Sequence, residues 1–381
     1  MPTGEPNDLT AAAVLALEGA GGAGPVPATA WAPGRCTLVG EHVDYAGGLV
    51  LCIAVDLGIA AAVRRSRTRH HLVASGGVIV TRSAAGPVGD IGDRVLAPVI
   101  ALRDRGLPVP AVEVGIAATL PPGAGLASSA ALIVAVTTAI LRLLGATMTA
   151  RELAGAALSA ERDVVGVPCG PLDQRAVIDA PAGGALLLDC RSGDHEQVPW
   201  PWVDVVLVGC DTGTQHDVGG VEYRRRRAET EMGLEALGVA TCQDLRVPAI
   251  DSAALDATVE RRVRHVMGES LRAAEAADAL RQGDVVALGR LMSASHRSLR
   301  DLHEVSTPAI DAVVRAAQAV PGCAGARIVG AGFGGAVVAL VGRAAAGACG
   351  AAMAAACDGG QTFELRPSPG LAVLAPDVVR G

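Results

Sequence analysis

The chain contains no lysine, so each of its 32 basic residues is an arginine. That absence removes a Walker A loop, whose lysine reaches the nucleotide phosphates, and any Schiff-base chemistry that needs a lysine amine. Aromatic residues supply only 2% of the 381 positions, so any core must be packed from Ala, Val and Leu. A basic face is also missing. The net charge is −7, and the one dense basic run, Arg224 to Arg227, reads as a solvated helix start, which argues against a nucleic-acid partner. Among the nine cysteines there is no C-x-x-C pair, and an odd number scattered along the chain points to reduced thiols in a cytoplasm rather than a disulfide framework or zinc site. The apolar stretches are too short, or too rich in Gly and Ala, to span a bilayer. Glu5 and Asp8, with no Arg, precede the first of them, which is not the pattern of a signal peptide.

What is present is apolar residue in quantity: 50% of the chain is hydrophobic, enough for two domains with their own cores and incompatible with disorder. The pattern predicts a helix over 9–19 capped by Asp8, strands over 35–39 and 49–63, and short strands at 78–81 and 112–118. "LASSAALIVAVTTAILRLLG" reads as a buried helix ending at Gly145, because apolar residues surround it on all sides. An amphipathic helix follows, with Thr149 as its cap and Gly166 as its stop. Beyond "GVPCGPLDQ" a second half begins, with strands in "GALLLDC" and "VDVVLVGCD" and helices over 220–237, 252–281, 284–302 and 307–319. Short strands grouped with longer helices give a fold class of α+β, in two lobes, rather than a doubly wound sheet.

Three stretches carry chemistry. "LPPGAGLASSAALIVA", residues 120–135, is a glycine-rich loop feeding a helix through two serines. Such a loop aims backbone N–H groups and the positive end of a helix dipole at one spot, so phosphate can be held without lysine. Ser128 and Ser129 could cap the helix, and a hydroxyl there could reach a magnesium ion; a plain Gly-Ser helix cap is the alternative. "GAGFGG" at 330–335 fails as a dinucleotide fingerprint because a strand, not a helix, follows it; a tight hairpin or a close backbone approach to a ligand remains. "GRCTLVGEHVDYAGG", residues 34–48, sets Glu41, His42 and Asp44 within four positions at the end of an apolar strand.

In order and spacing, these stretches closely resemble the three signature regions of the GHMP small-molecule kinases, the first in its galactokinase form. "SAERDVVGVPCGPLDQ" and "VEYRRRR" agree with further galactokinase segments, and the resemblance runs from about Trp31 to Ala375. It implies a two-lobed fold with its site in the cleft between lobes: an N-terminal domain over 9–168, a C-terminal domain over 169–362, and a tail at 363–381 whose "FELRPSPGLAVL" adds a strand to the first lobe. It further implies ATP-dependent phosphorylation of galactose at its anomeric hydroxyl, with a related hexose, amino sugar or cyclitol, or a non-catalytic sugar sensor, as alternatives. Glu41 and His42 would face the sugar's 6-hydroxyl, Asp44 its 3- and 4-hydroxyls and Tyr223 its 4-hydroxyl, with Gly170 supplying backbone. Unpaired hydroxyls in such a site are costly, so convergent donors and acceptors make physical sense.

Arg35 and Asp173 correspond to the family's catalytic pair, which a simple ion pair would also explain. A carboxylate beside a guanidinium is a weak general base at neutral pH, but a loose phosphoryl-transfer transition state needs little base help. Gly123, Ala124, Gly125, Leu126, Ala127, Ser128 and Ser129 would cradle ATP. Ser129 and Glu161 would hold Mg2+, although Glu161 also fits an exposed helix position. The partners implied are a small sugar and ATP, in a monomer or weak oligomer. Departures from the galactokinase pattern include Ala46, Gly220, Leu302 and His303, and these bear on the choice of sugar more than on the reaction.

Overall fold

The computed structural model describes residues 5–22, 24–213, 220–357, 360–371 and 378–380. Its first lobe opens with α1 (Pro6–Gly21), then β1 (Ala28–Val39) and β2 (Leu49–Arg65), long strands paired antiparallel. β3 (His71–Ser75), β4 (Val78–Arg82), α2 (Gly92–Asp104) and β5 (Val112–Ala118) follow. α3 (Ser128–Leu144) is buried along most of its length, as a helix apolar on every face must be, and ends at left-handed Gly145. β6 (Met148–Thr149) leads into α4 (Ala150–Ser159), which Thr149 caps in a reciprocal box with Glu152. Residues Ala160–Val165 then widen into a single π turn that stops at left-handed Gly166.

α5 (Leu172–Asp179), β7 (Gly184–Asp189) and β8 (His195–Pro199) still belong to this lobe. β2 pairs with β7 over Leu49–Cys52 and with β5 over Ile59–Arg65, so one long strand serves as backbone to several short ones. β7 and β8, which follow residue 168 in the chain, pair into the sheet of β2, because β2 is long enough to recruit strands from both sides of the site loop.

The second lobe holds β9 (Val205–Asp211), α6 (Val221–Ala236), α7 (Val247–Ser252), α8 (Ala257–Arg281), α9 (Val285–Asp301), α10 (Pro308–Gln318), β10 (Cys323–Val329), β11 (Ala336–Gly342), α11 (Ala346–Ala355) and β12 (Gln361–Leu365). Its sheet has the order β10-β11-β9-β12. Immediately after β12, β13 (Pro367–Ser368) crosses back and pairs with Val55 and Ala54 of β2, and β14 (Val379–Arg380) lies parallel to β6. Residues 372–377 and 381 of that tail lie outside the described residues.

Two expectations about helix ends differ. Residue 5 rather than Asp8 precedes α1, with Pro6 in its first turn. α3 has no serine cap: Ala127, at φ 58°, is its N-cap, and Ser128 and Ser129 already lie in the helix. The Arg224 to Arg227 run is also not simply solvated. Arg226 is buried, donating to the His303 carbonyl at 2.7 Å and lying 5.6 Å from the Phe333 ring centroid, which ties α6 to the loop after α9 and to the second glycine loop. No helix of the described residues is long and apolar enough to cross a membrane.

Candidate active site

Between the lobes lies a cleft of about 660 Å³, and every candidate catalytic, sugar-binding, ATP-binding and metal-binding residue named above except Ala124, which is buried beside it, lines that cleft. It is built from backbone outward. The Arg35 N–H donates to the Leu126 carbonyl at 3.0 Å, and its guanidinium donates to the Gly125 carbonyl, so β1 is stitched to the first glycine loop. That loop in turn packs on the second one. A Cβ on Gly125 would meet the Val329 carbonyl oxygen at 2.4 Å, and one on Gly330 would meet the Gly125 Cα at 2.7 Å. Two glycine loops from different lobes thus touch through bare backbone, which explains why "GAGFGG" is not a nucleotide fingerprint of its own.

Arg35 and Asp173 form an ion pair at 2.6 Å (Nη2 to Oδ1). Burial alone would lower the Arg35 guanidinium, but Asp173 and Glu41 outweigh it and raise its pKa. Glu41 accepts from the Gly330 N–H at 2.7 Å through Oε1, with Arg327 Nη2 at 3.7 Å from the same oxygen. Burial raises the Glu41 pKa against these cations. Beneath it, buried Glu269 accepts from the Gly40 N–H at 2.9 Å and from Arg272 at 2.9 Å. Burial works to raise Glu269, yet Arg272 and Arg327 prevail and hold it at about 2. This second carboxylate fixes the start of the Glu41-His42 loop from below.

His42 sits in left-handed conformation at φ 62°, a strained choice for a residue with a side chain. Its Nε2 is 2.9 Å from the Ala331 carbonyl and its Nδ1 is 3.0 Å from the Tyr45 hydroxyl. A carbonyl only accepts, so Nε2 carries the proton and Nδ1 accepts from Tyr45. The Tyr45 oxygen then accepts from His303 Nε2, 3.2 Å away. Burial drives His42 down to about 3 and His303 well below its usual range, so both rings are neutral. Both His42 nitrogens are thus held by protein, and a hydrogen bond from this ring to a sugar would require one of those bonds to be given up. His303 acts under the cleft through Tyr45, and Ala46, Gly220 and Leu302 do not line it either.

Asp44 is raised to about 6 by burial and then by repulsion from Asp173 and Glu41. Gly170 lies against it so closely that a Cβ there would fall 2.1 Å from Asp44 Oδ2. Tyr223, in the first turn of α6, packs near both: its ring is 5.5 Å from that of His42 and edge-on to Tyr45 at 6.1 Å. Burial, followed by the Asp44 charge, pushes its phenol pKa well up.

Glu161 projects from the π turn, a local widening that recurs at functional sites. The Gln174 amide donates to it at 2.5 Å. Burial raises Glu161 to about 7; Ser129 is near enough to oppose that shift, although the buried Ser129 hydroxyl closes no hydrogen bond. An orphaned hydroxyl beside a buried carboxylate is a donor set suited to a hard divalent cation, and these two residues fit Mg2+. Among the described residues no group of three or more His, Cys, Asp or Glu would hold a metal unaided. A cation here would complete its shell with water and with phosphate oxygens.

Gln174, Tyr45, Arg327, Glu269 and His265 are the members that sequence reasoning passed over. Gln174 and Tyr45 adjoin singled-out aspartates, and that adjacency was the available signal. The others reach the site loop through contacts across more than 200 positions, as where His265 Nε2 donates to the Glu41 carbonyl at 3.2 Å.

Comparison with known proteins gives concordant results. Residues 94–179 match the GHMP kinases N terminal domain, 276–359 the GHMP kinases C terminal, and 21–65 the galactokinase galactose-binding signature. The chain is 37% identical over 334 residues to a galactokinase of Roseiflexus sp. (strain RS-1), covering 82% of this chain and 83% of that one. It is 37% identical over 329 residues to the Homo sapiens galactokinase, covering 83% and 84% respectively. Among solved structures, Lactococcus lactis galactokinase complexed with galactose superposes with a TM-score of 0.89 at 26% identity, over 95% of this chain and 99% of that one. The mevalonate kinase of L. major, at 19% identity and a TM-score of 0.64 over 90% and 96% of the two chains, shares the fold.

Proposed function

The chain belongs to the galactokinase family of GHMP kinases, and from that premise we propose that it transfers the γ-phosphoryl group of ATP to the anomeric hydroxyl of galactose. The products are galactose 1-phosphate and ADP. The observation that carries this reading is the Arg35–Asp173 pair, which lies in one cleft with both the carboxylate cluster and the glycine loop.

Each group has a part that its surroundings support. Asp173 gives Oδ1 to Arg35, leaving Oδ2 for the anomeric hydroxyl. As the sugar oxygen bonds to the γ-phosphorus, the bond to the bridging oxygen of ADP breaks, and the hydroxyl proton passes to Asp173 or to water. Arg35 orients the carboxylate and offsets charge on the transferring group. Glu41, anchored by the Gly330 N–H, takes the 6-hydroxyl. Asp44 and Tyr223 take ring hydroxyls, and Gly170 allows the close approach that Asp44 needs. His42 shapes the pocket wall through its locked ring. The N–H groups of Gly123 to Ser129 cradle the phosphates at the start of α3. Ser129 and Glu161 would hold Mg2+, with Gln174 fixing the carboxylate. When bound, Mg2+ supplies charge neutralisation at the phosphates. Unpaired cysteines suit a reducing cytoplasm as the place of reaction.

The test is ADP release by the purified protein with MgATP and a panel of free hexoses, aminohexoses and cyclitols. Galactose should be turned over fastest. Preference for another compound would reassign the sugar, and no turnover on any would overturn the kinase reading.

A further inference from the structure

The cleft is acidic before a nucleotide arrives. Among the described residues its lining carries Glu41, Asp44, Glu161 and Asp173 against only two cations, Arg35 and Arg94. Arg35 is already engaged by Asp173 at 2.6 Å. A polyphosphate entering such a cleft meets carboxylates of its own sign, and the chain has no lysine to offset them.

Arg94 is the group left over. It stands exposed in the first turn of α2 and makes no hydrogen bond or ion pair among the described residues, unlike most arginines of this chain. It lines the same cleft as Ser128, Ser129 and Glu161, and its charge is felt by the Glu161 carboxylate. Exposed apolar Ile91, just before α2, lines the cleft beside it. A guanidinium presents a planar fork of donors that matches two phosphate oxygens, and holding it unpaired beside an acidic site makes sense when the site's occupant brings the counter-charge.

Resting on the kinase reading above, we infer that Arg94 is a nucleotide-binding residue, reaching from α2 to the polyphosphate. The glycine loop offers fixed N–H dipoles, and Arg94 offers a full charge at the end of a long side chain. Sugar binding does not involve it.

The experiment measures MgATP affinity by calorimetry for the wild-type protein, Arg94→Gln and Arg94→Lys, alongside galactose affinity and thermal midpoint. Loss of a charge-assisted phosphate contact should weaken MgATP binding roughly tenfold or more in Arg94→Gln. The lysine variant should recover part of that loss, and the dependence of MgATP affinity on salt should flatten in the glutamine variant. Galactose affinity and the thermal midpoint should stay at wild-type values. Wild-type MgATP affinity in Arg94→Gln would overturn the inference, as would an equal loss of galactose affinity or a fall in the midpoint that Arg94→Lys fails to restore. Because binding is read directly, the two claims fail separately. A protein that binds MgATP through Arg94 yet ignores galactose refutes only the sugar assignment, whereas galactose turnover with an indifferent Arg94 refutes only this inference.

Discussion

Replacing Asp44 with asparagine should make the free protein more stable while destroying its grip on sugar. The Asp44 carboxyl is raised to about 6 from an ordinary 3.8, first by burial and then by the Asp173 and Glu41 charges. A raised carboxyl costs stability only where it is ionised: the cost is full above pH 6, fades as pH falls through 6, and is gone below 3.8. At ~1.4 kcal/mol for each tenfold change, the ceiling at pH 8 is about 3 kcal/mol. The side chain keeps partial contact with solvent, which reduces the expected gain to about 1–2 kcal/mol. Asparagine has nearly the same shape, so the tight fit against Gly170 is preserved. Thermal unfolding of the two proteins should therefore show the variant higher by a few degrees at pH 8, with the gap cut to about half by pH 5. Calorimetry should show galactose binding weakened by at least about tenfold, since a charged acceptor is lost from the clamp. A variant less stable than wild type at pH 8, or a gap indifferent to pH, would refute the reasoning.

The other substitutions separate the parts of the site. Asp173→Asn should lower kcat by about a thousandfold or more, because it removes the carboxylate proposed to face the reacting hydroxyl, and should also lower the thermal midpoint, because buried Arg35 loses its counter-charge; steady-state kinetics on the folded variant beside a melting curve decide it. Gln174→Leu takes away the amide bonded to Glu161 at 2.5 Å, and a titration with Mg2+ should show a higher requirement for the ion with galactose affinity kept. Gly170→Ala puts a Cβ 2.1 Å from Asp44 Oδ2, so KM for galactose should rise while KM for ATP holds; equal changes in both would contradict the local clash.

Much of the fold was legible because apolar residues were distributed in simple periods. α3 could be read as a buried helix with a Gly145 stop, and the Thr149 cap of α4 followed from a hydroxyl set just before an amphipathic run. The meeting of Glu41, Asp44, Arg35 and Asp173 in one cleft was legible for a different reason: they are polar groups set at the ends of apolar strands and helices, where sites gather. What escaped depended on packing between distant segments. Nothing in the order of residues says that β2 would collect β7 from beyond the site loop, or that both nitrogens of His42 would be claimed by Tyr45 and by a carbonyl 289 positions away. The serine cap failed for a local reason, since Ala127 at φ 58° turns the chain into α3 and leaves the Ser129 hydroxyl facing Glu161 instead of the helix end.

The most direct test of the central claim is where the phosphate lands. The purified protein, supplied with MgATP and galactose, should yield a single product whose anomeric proton couples to phosphorus in a correlated proton–phosphorus NMR spectrum, with ADP formed in equal amount. Phosphorus coupled to the protons at C6 or to any other ring position, or ATP consumed without a galactose phosphate, would contradict the placement of Asp173 at the anomeric hydroxyl and with it the account of the cleft.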